Sequence, residues 1–199
     1  MVDKLIDIIN RLQIPNVILR YIMMNFLDLL TINNLLLTVK KMNVLDDYSK
    51  DLIVKANNGF LWNCENGHLT VAKWLYSLGE INIHARNELA FRRSCENGHL
   101  TVAKWLYSLG GVNIHADDEY AFKWSCVYGY LDVAQLLYSL GEVNIHAENE
   151  LAFRWSCING HLIVANWLYS LGNVNIHAHD EYAFRHSSKN ILDWLNNLP

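Results

Sequence analysis

Three Cys–His pairs are the first candidates for chemistry in this chain. Cys64 and His68, Cys95 and His99, and Cys157 and His161 each have the spacing C-x3-H. A thiol and an imidazole one helical turn apart could hold one edge of a zinc ion, which takes four such ligands in a tetrahedron. The pattern stops short of a site. Each pair lies in its own segment, Tyr130 stands where a fourth His would fall, and no second pair closes the tetrahedron. We therefore read the Cys as packing inward and the His as bonding to neighbouring backbone. His84, His115, His146 and His177 recur in a linking segment, where hydrogen bonding along an array fits better than ligation. Glu88, Glu119, Glu150 and Glu181 recur in the same way. General acid–base work needs a unique, asymmetric cluster, and these acids read instead as helix-capping groups. No phosphate-binding Gly-rich loop, nucleophile elbow or HExxH is present. No catalytic residue, metal ligand or cofactor is assigned, and the chain is not read as an enzyme.

What positions these residues is a sequence that copies itself. The segment from Cys64 to Gly79 recurs letter for letter from Cys95 to Gly110, and looser copies follow at Cys126–Gly141 and Cys157–Gly172. The step is 31 residues, and a truncated copy begins at Glu181. A unit this short cannot bury its own apolar face, so a period in this range implies a stacked array. The units run about 57–87, 88–118, 119–149, 150–180 and 181–199, within a repeat region of 53–199 that follows an N-terminal segment of 1–52.

Composition agrees. Of 199 residues 52% are hydrophobic and 18% charged, too apolar for a disordered chain. A net charge of −4 gives no general attraction to nucleic acid or to an anionic membrane. The most apolar stretch, 21–39, is broken by Asn25, Asp28, Asn33 and Asn34, which argues against a membrane span. Asp3 and Asp7 and the lack of a cleavage pattern argue against a signal peptide. The four cysteines fall one per unit. Equivalent residues of stacked units lie roughly 10 Å apart, beyond the about 7 Å a disulfide tolerates between Cα atoms, so free thiols in a reducing cytoplasm are expected.

Within a unit, Asn87, Asp118, Asn149 and Asp180 each precede an acid and an apolar run, the signature of an N-cap. Phe122, Ser125 and Cys126 share a helical face, and small residues there would let a second helix come close. Gly98 and Gly129 break the first helix. Val102, Trp105, Leu106 and Leu109 then give a second apolar stripe of helical period. Trp74, Trp105 and Trp167 on this stripe read as packing between layers. Gly110 suits a left-handed C-terminal cap, and Val-Asn-Ile-His-Ala reads as an extended link. The fold class expected is all-α: stacked helix–turn–helix units with an N-terminal helical segment. Asp193, Asn196 and Asn197 suit the outer face of a closing unit, and a monomer capped at both ends is expected.

These units resemble ankyrin repeats. The segment 89–95 occupies the place of that family's TPLHxAA, Gly98-His99 the place of its turn, and 102–106 the place of its second helix. The departures are a period of 31 with a shortened finger and Leu/Tyr-Ala in place of Thr-Pro. This shortened style is similar to that of the ankyrin proteins of large DNA viruses, which implies a host-cell cytoplasmic location. The resemblance implies a protein partner along a concave face of fingers and first helices. Positions that differ between copies are where specificity can reside. On that basis Val127, Tyr128 and Ile158 form a central apolar patch, joined by Glu96, Asn97, Trp124 and Trp155 and the finger acids Asp117 and Glu148. The row Arg92, Lys123, Arg154 and Arg185 reads as intramolecular charge pairing and not as a nucleic-acid track.

The N-terminal segment does not repeat. Ile14, Pro15, Ile18, Leu19, Ile22, Met23 and Phe26, then Asp28 and a Leu-rich run to Met42, resemble an F-box. The resemblance implies that Pro15, Ile18, Leu19 and Ile22 dock on a Skp-type adaptor of an SCF-type ubiquitin ligase. Val17, Val39 and Met42 depart from the family pattern. The alternative is a helical cap over the open end of the stack, leaving a plain ankyrin module that sequesters or masks its partner.

Overall fold

The chain divides into two units, 1–51 and 52–199. A computed structural model describes residues 57–77, 79 and 81–198, all of them in the second unit. The F-box-like positions Pro15, Ile18, Leu19 and Ile22 lie outside the described residues.

Each copy of the repeat becomes two helices, because its two apolar stripes have helical period and a glycine separates them. The link and the turn that lead into a first helix belong structurally to the unit of that helix, so Asp117 joins the unit of Phe122, and Asn144 and Glu148 join the unit of Phe153. The first helices are α1 (57–65), α3 (Ala85–Glu96), α5 (Ala116–Val127), α7 (Ala147–Ile158) and α9 (Ala178–His186). The second helices are α2 (Leu69–Ser77), α4 (Leu100–Ser108), α6 (Leu131–Leu140), α8 (Leu162–Ser170) and α10 (Lys189–Leu195). No strand occurs among the described residues. First helices pack on one another down the stack, α3 on α5, α5 on α7 and α7 on α9, and α3, α5 and α7 also pack on their own second helices α4, α6 and α8. This is an all-α repeat stack.

The core runs between the two rows of helices. Phe91, Phe122 and Phe153 come from the first row, Val102, Val133, Val164, Leu106, Leu137 and Leu168 from the second, and all are buried. Ser94, Ser125 and Ser156 are wholly buried beside the cysteines, and each hydroxyl donates to the Phe carbonyl three residues back at 2.8 Å. That bond removes the penalty of a buried polar group, so the small side chain can sit where first helices meet. Trp105 and Trp167 pack between layers as expected. Each ring meets the Phe and the Tyr of the preceding unit at centroid distances of 5.8–6.2 Å.

A second device joins neighbours. The ring of each turn residue lies over the turn glycine of the unit before it: His99 over Gly67, Tyr130 over Gly98, His161 over Gly129. Gly129 has φ +82°, and a Cβ there would meet His161 Nδ1 at 2.5 Å. Only glycine permits both the backbone conformation and the ring. His99 Nε2 also bonds to the Glu65 carbonyl at 2.9 Å. Tyr130 supplies the ring without that bond, which explains how the third unit dispenses with the His.

The N-caps expected at Asn87, Asp118, Asn149 and Asp180 do not form. Each residue sits in the middle of three consecutive left-handed residues, for example Asp117, Asp118 and Glu119 with φ 61°, 53° and 61°. The turn closes with the Glu119 N–H donating to the His115 carbonyl at 3.3 Å. Asn and Asp are the non-glycine residues that tolerate this region best, so the same residue types serve either role. The preceding link also turns sooner than expected. The Asn113 side chain accepts the His115 N–H at 3.0 Å, closing an Asx turn.

The glutamates that end the first three of these turns, Glu88, Glu119 and Glu150, are buried and tie two units together, while Glu181 in the closing unit is exposed. Glu119 is 7% exposed and Glu150 5%. Glu119 Oε1 lies 2.8 Å from His115 Nδ1 and accepts the Asn144 N–H of the next unit at 3.3 Å. Glu88 and Glu150 repeat the arrangement toward Asn113 and Asn175. The recurring His and Glu therefore form the expected hydrogen bonding along the array, with the Glu as the link and not as a cap. At the far end Asp193, Asn196 and Asn197 are exposed while Ile191 and Leu195 are buried, as a closing unit requires.

All four cysteines are free and wholly buried. Burial pushes the Cys64 and Cys157 thiols up to about 12, and raises Cys95 and Cys126 as well. The unfolded chain releases these protons from about pH 8.5 while the folded chain keeps them. Stability should thus be flat with respect to the thiols below that pH and fall as pH rises above it. We expect Ellman's reagent at pH 8 to label no thiol in the native protein and all four in guanidinium. Rapid labelling without denaturant would contradict the packing described.

Candidate partner-binding face

The face opposite the second helices is built by α3, α5, α7 and α9 and by the left-handed turns that lead into them. Two of the turns place a carboxylate beside a cation of the unit before, Asp117 beside Arg92 and Glu148 beside Lys123. Arg92 donates from Nε to the Asn87 carbonyl at 2.8 Å and from Nη2 to the Arg86 carbonyl at 3.3 Å, bracing its own turn. Its Nη1 donates to Asp117 of the next unit. Lys123, with one nitrogen, bonds to Asp118 at 3.1 Å and to Glu148 of the next unit. Arg92 and Lys123 are buried, while Asp117 and Glu148 are half-exposed. Intramolecular pairing holds for these members of the basic row. Two of the acids expected to meet a partner are thus already engaged within the stack.

Beside this ladder lies a row of aromatic rings. Tyr120 and Trp124 on successive turns of α5 and Tyr128 at its C-terminal cap have centroids 5.8 and 5.7 Å apart, the second pair stacked at 28°. Trp155 on α7 meets Tyr182 on α9 at 6.1 Å, and Tyr182 meets His186 at 4.5 Å and His179 at 5.3 Å. Tyr128 is 45% exposed, and Tyr120, Trp124, Trp155 and Tyr182 are partly exposed. At the other end Glu96 accepts the Tyr120 hydroxyl at 2.9 Å and Arg93 Nη1 at 2.6 Å. Burial, with that hydroxyl bond second, pushes Tyr120 up to about 12. Asn97 is exposed and donates to the Arg93 carbonyl at 2.9 Å.

Of the expected positions, Asn97, Asp117, Tyr128 and Glu148 reach solvent, and Glu96, Trp124, Trp155 and Ile158 do so in part. Val127 does not. It is 3% exposed, and Asn159 of the next unit donates to its carbonyl at 2.8 Å. The last turn of α5 is covered by the following unit, and an apolar side chain there is drawn inward. Tyr120 and Tyr182 were not singled out from the sequence, although their slot alternates among Asn58, Leu89, Tyr120, Leu151 and Tyr182. The variability that marked Tyr128 was present there too.

Among the described residues no group of three or more His, Cys, Asp or Glu side chains is placed to hold a metal ion. None of the described helices is long and apolar enough to cross a membrane. Set against known proteins, the chain matches no family model and no curated sequence, so this face is read from its own residues.

Proposed function

We propose that the chain is a protein-interaction scaffold of the ankyrin type, holding a protein partner on the first-helix face. The observation that carries this is the row Tyr120, Trp124 and Tyr128 with Trp155 and Tyr182 beside it. Aromatic rings fixed by stacking offer large contact area at little further loss of entropy, which is the composition of interface anchors. The F-box-like residues Pro15, Ile18, Leu19 and Ile22 add a second arm. In this reading they dock on a Skp-type adaptor, and the stack brings a target to the ubiquitin ligase by raising its local concentration. No chemistry occurs on the chain itself, and the cytoplasm is its place of work.

Titration of a purified Skp-type adaptor onto the whole chain tests the reading. Saturable binding is expected, abolished by Pro15→Ala/Ile18→Asp/Ile22→Asp in a variant that keeps its circular dichroism. Absence of binding would leave the plain module that masks its partner.

A further inference from the structure

Arg92 and Arg154 hold the same place two units apart. Arg154 donates from Nε to the Asn149 carbonyl at 2.7 Å and from Nη2 to the Glu148 carbonyl at 3.0 Å, as Arg92 does to its own turn. Each guanidinium lies over a tyrosine ring of the next unit, Arg92 over Tyr120 at 4.8 Å and Arg154 over Tyr182 at 5.4 Å. The two differ only at Nη1. Arg92 Nη1 has Asp117, and Lys123, between them in the row, has Glu148 from the equivalent position. At Arg154 that position is His179, and Nη1 has no partner among the described residues. Arg154 is 6% exposed. Burial pulls its pKa down, against the opposing influence of Tyr182, Glu148 and Glu150.

We propose that the Arg154 guanidinium is an open carboxylate socket, which takes an Asp or Glu side chain of the bound protein where the earlier units supply their own. This rests on the protein-binding reading above. A carboxylate is the occupant because two carboxylates fill the equivalent position in this same chain, Asp117 beside Arg92 and Glu148 beside Lys123. The guanidinium is braced through Nε and Nη2 and has its Cζ over the Tyr182 ring, so its remaining donor is fixed in direction before a partner arrives. Such preorganised, partly desolvated donors give specificity as well as affinity. Tyr182 also adjoins Trp155. An acidic side chain in the socket would therefore carry its neighbouring residue onto the aromatic row, and the partner motif is an acid next to a large apolar or aromatic residue.

The test is selection of a random twelve-residue peptide library on the immobilised whole chain, beside His179→Asp and His179→Asn variants. His179→Asp supplies the missing internal carboxylate in a left-handed position that Asp117 and Asp118 already occupy elsewhere, so the stack should keep or raise its melting temperature. Peptides selected on the native chain should carry an Asp or Glu at fixed spacing from an aromatic or leucine. A synthetic winner should lose at least tenfold in affinity when its acid becomes Asn or Gln. It should lose as much against His179→Asp, yet stay within twofold against His179→Asn. Peptides without an acidic preference, or equal binding to all three chains, would overturn the socket and leave the protein-binding reading standing. A phosphoserine in place of the acid binding tenfold tighter would overturn the carboxylate assignment. Failure to select any peptide would count against both readings.

Discussion

Val127→Asp is expected to destabilise the stack by at least about 3 kcal/mol, and Tyr128→Ala, one residue on, by under about 1 kcal/mol. Val127 is 3% exposed, so an aspartate there must desolvate its charge, protonate or displace the unit that covers it. Asn159, which donates to the Val127 carbonyl, would be displaced with it. Tyr128 is 45% exposed and stacks on Trp124. Truncating it removes an anchor for a partner and little of the core. Urea unfolding followed by circular dichroism separates the two: the midpoint should fall steeply for Val127→Asp and barely for Tyr128→Ala. Equal midpoints would mean that Val127 is not covered. Partner or peptide binding should show the reverse emphasis, with Tyr128→Ala weakened in a folded protein.

Glu119→Ala is expected to remove about 2–4 kcal/mol and to loosen the third unit from the fourth. The carboxylate accepts His115 and the Asn144 N–H, one on each side of the junction. Alanine leaves the backbone donor without its acceptor and frees the left-handed turn that Glu119 ends. Three successive residues in that region are unfavourable by roughly 1–2 kcal/mol each for ordinary side chains, so the turn persists only while its closing contacts hold. Glu119→Gln retains one acceptor oxygen and should lose about half as much. Because a stack is a chain of nearest-neighbour couplings, the Ala variant should also unfold with a lower urea slope, as its halves part company. An unchanged midpoint and slope for Glu119→Ala would show that the glutamate does not couple the units.

The repeat made the architecture legible, since identical letters at a fixed step must adopt one local structure. Phe122, Ser125 and Cys126 were placed inward from their spacing alone, and all three are buried. The Asx residues failed for a specific reason. A helix cap and a left-handed turn both favour short side chains with a nearby oxygen, and Asp118 satisfies either pattern until backbone angles are known. Val127 failed for another. Difference between copies does not mark exposure by itself: Glu96, Val127 and Ile158 hold one slot with different burial, because the slot lies at the edge of the next unit's cover. The basic row was legible as charge pairing through Arg92 and Lys123. Its opening at Arg154 was not, because it depends on which acid faces which cation across a junction.

The junctions also decide how the molecule would answer a pull on its ends. Neighbouring units are held by a glutamate reaching one backbone N–H, a ring seated on a glycine, and the stacked first helices, and none of these contacts skips a unit. Tension along the chain would therefore test one junction at a time, each surrender paying out 31 residues, about 100 Å of extended chain. A partner lying across Tyr120, Trp155 and Tyr182 would span three units at once and act as a strap. The force needed to unravel the stack would then count how many units the partner bridges.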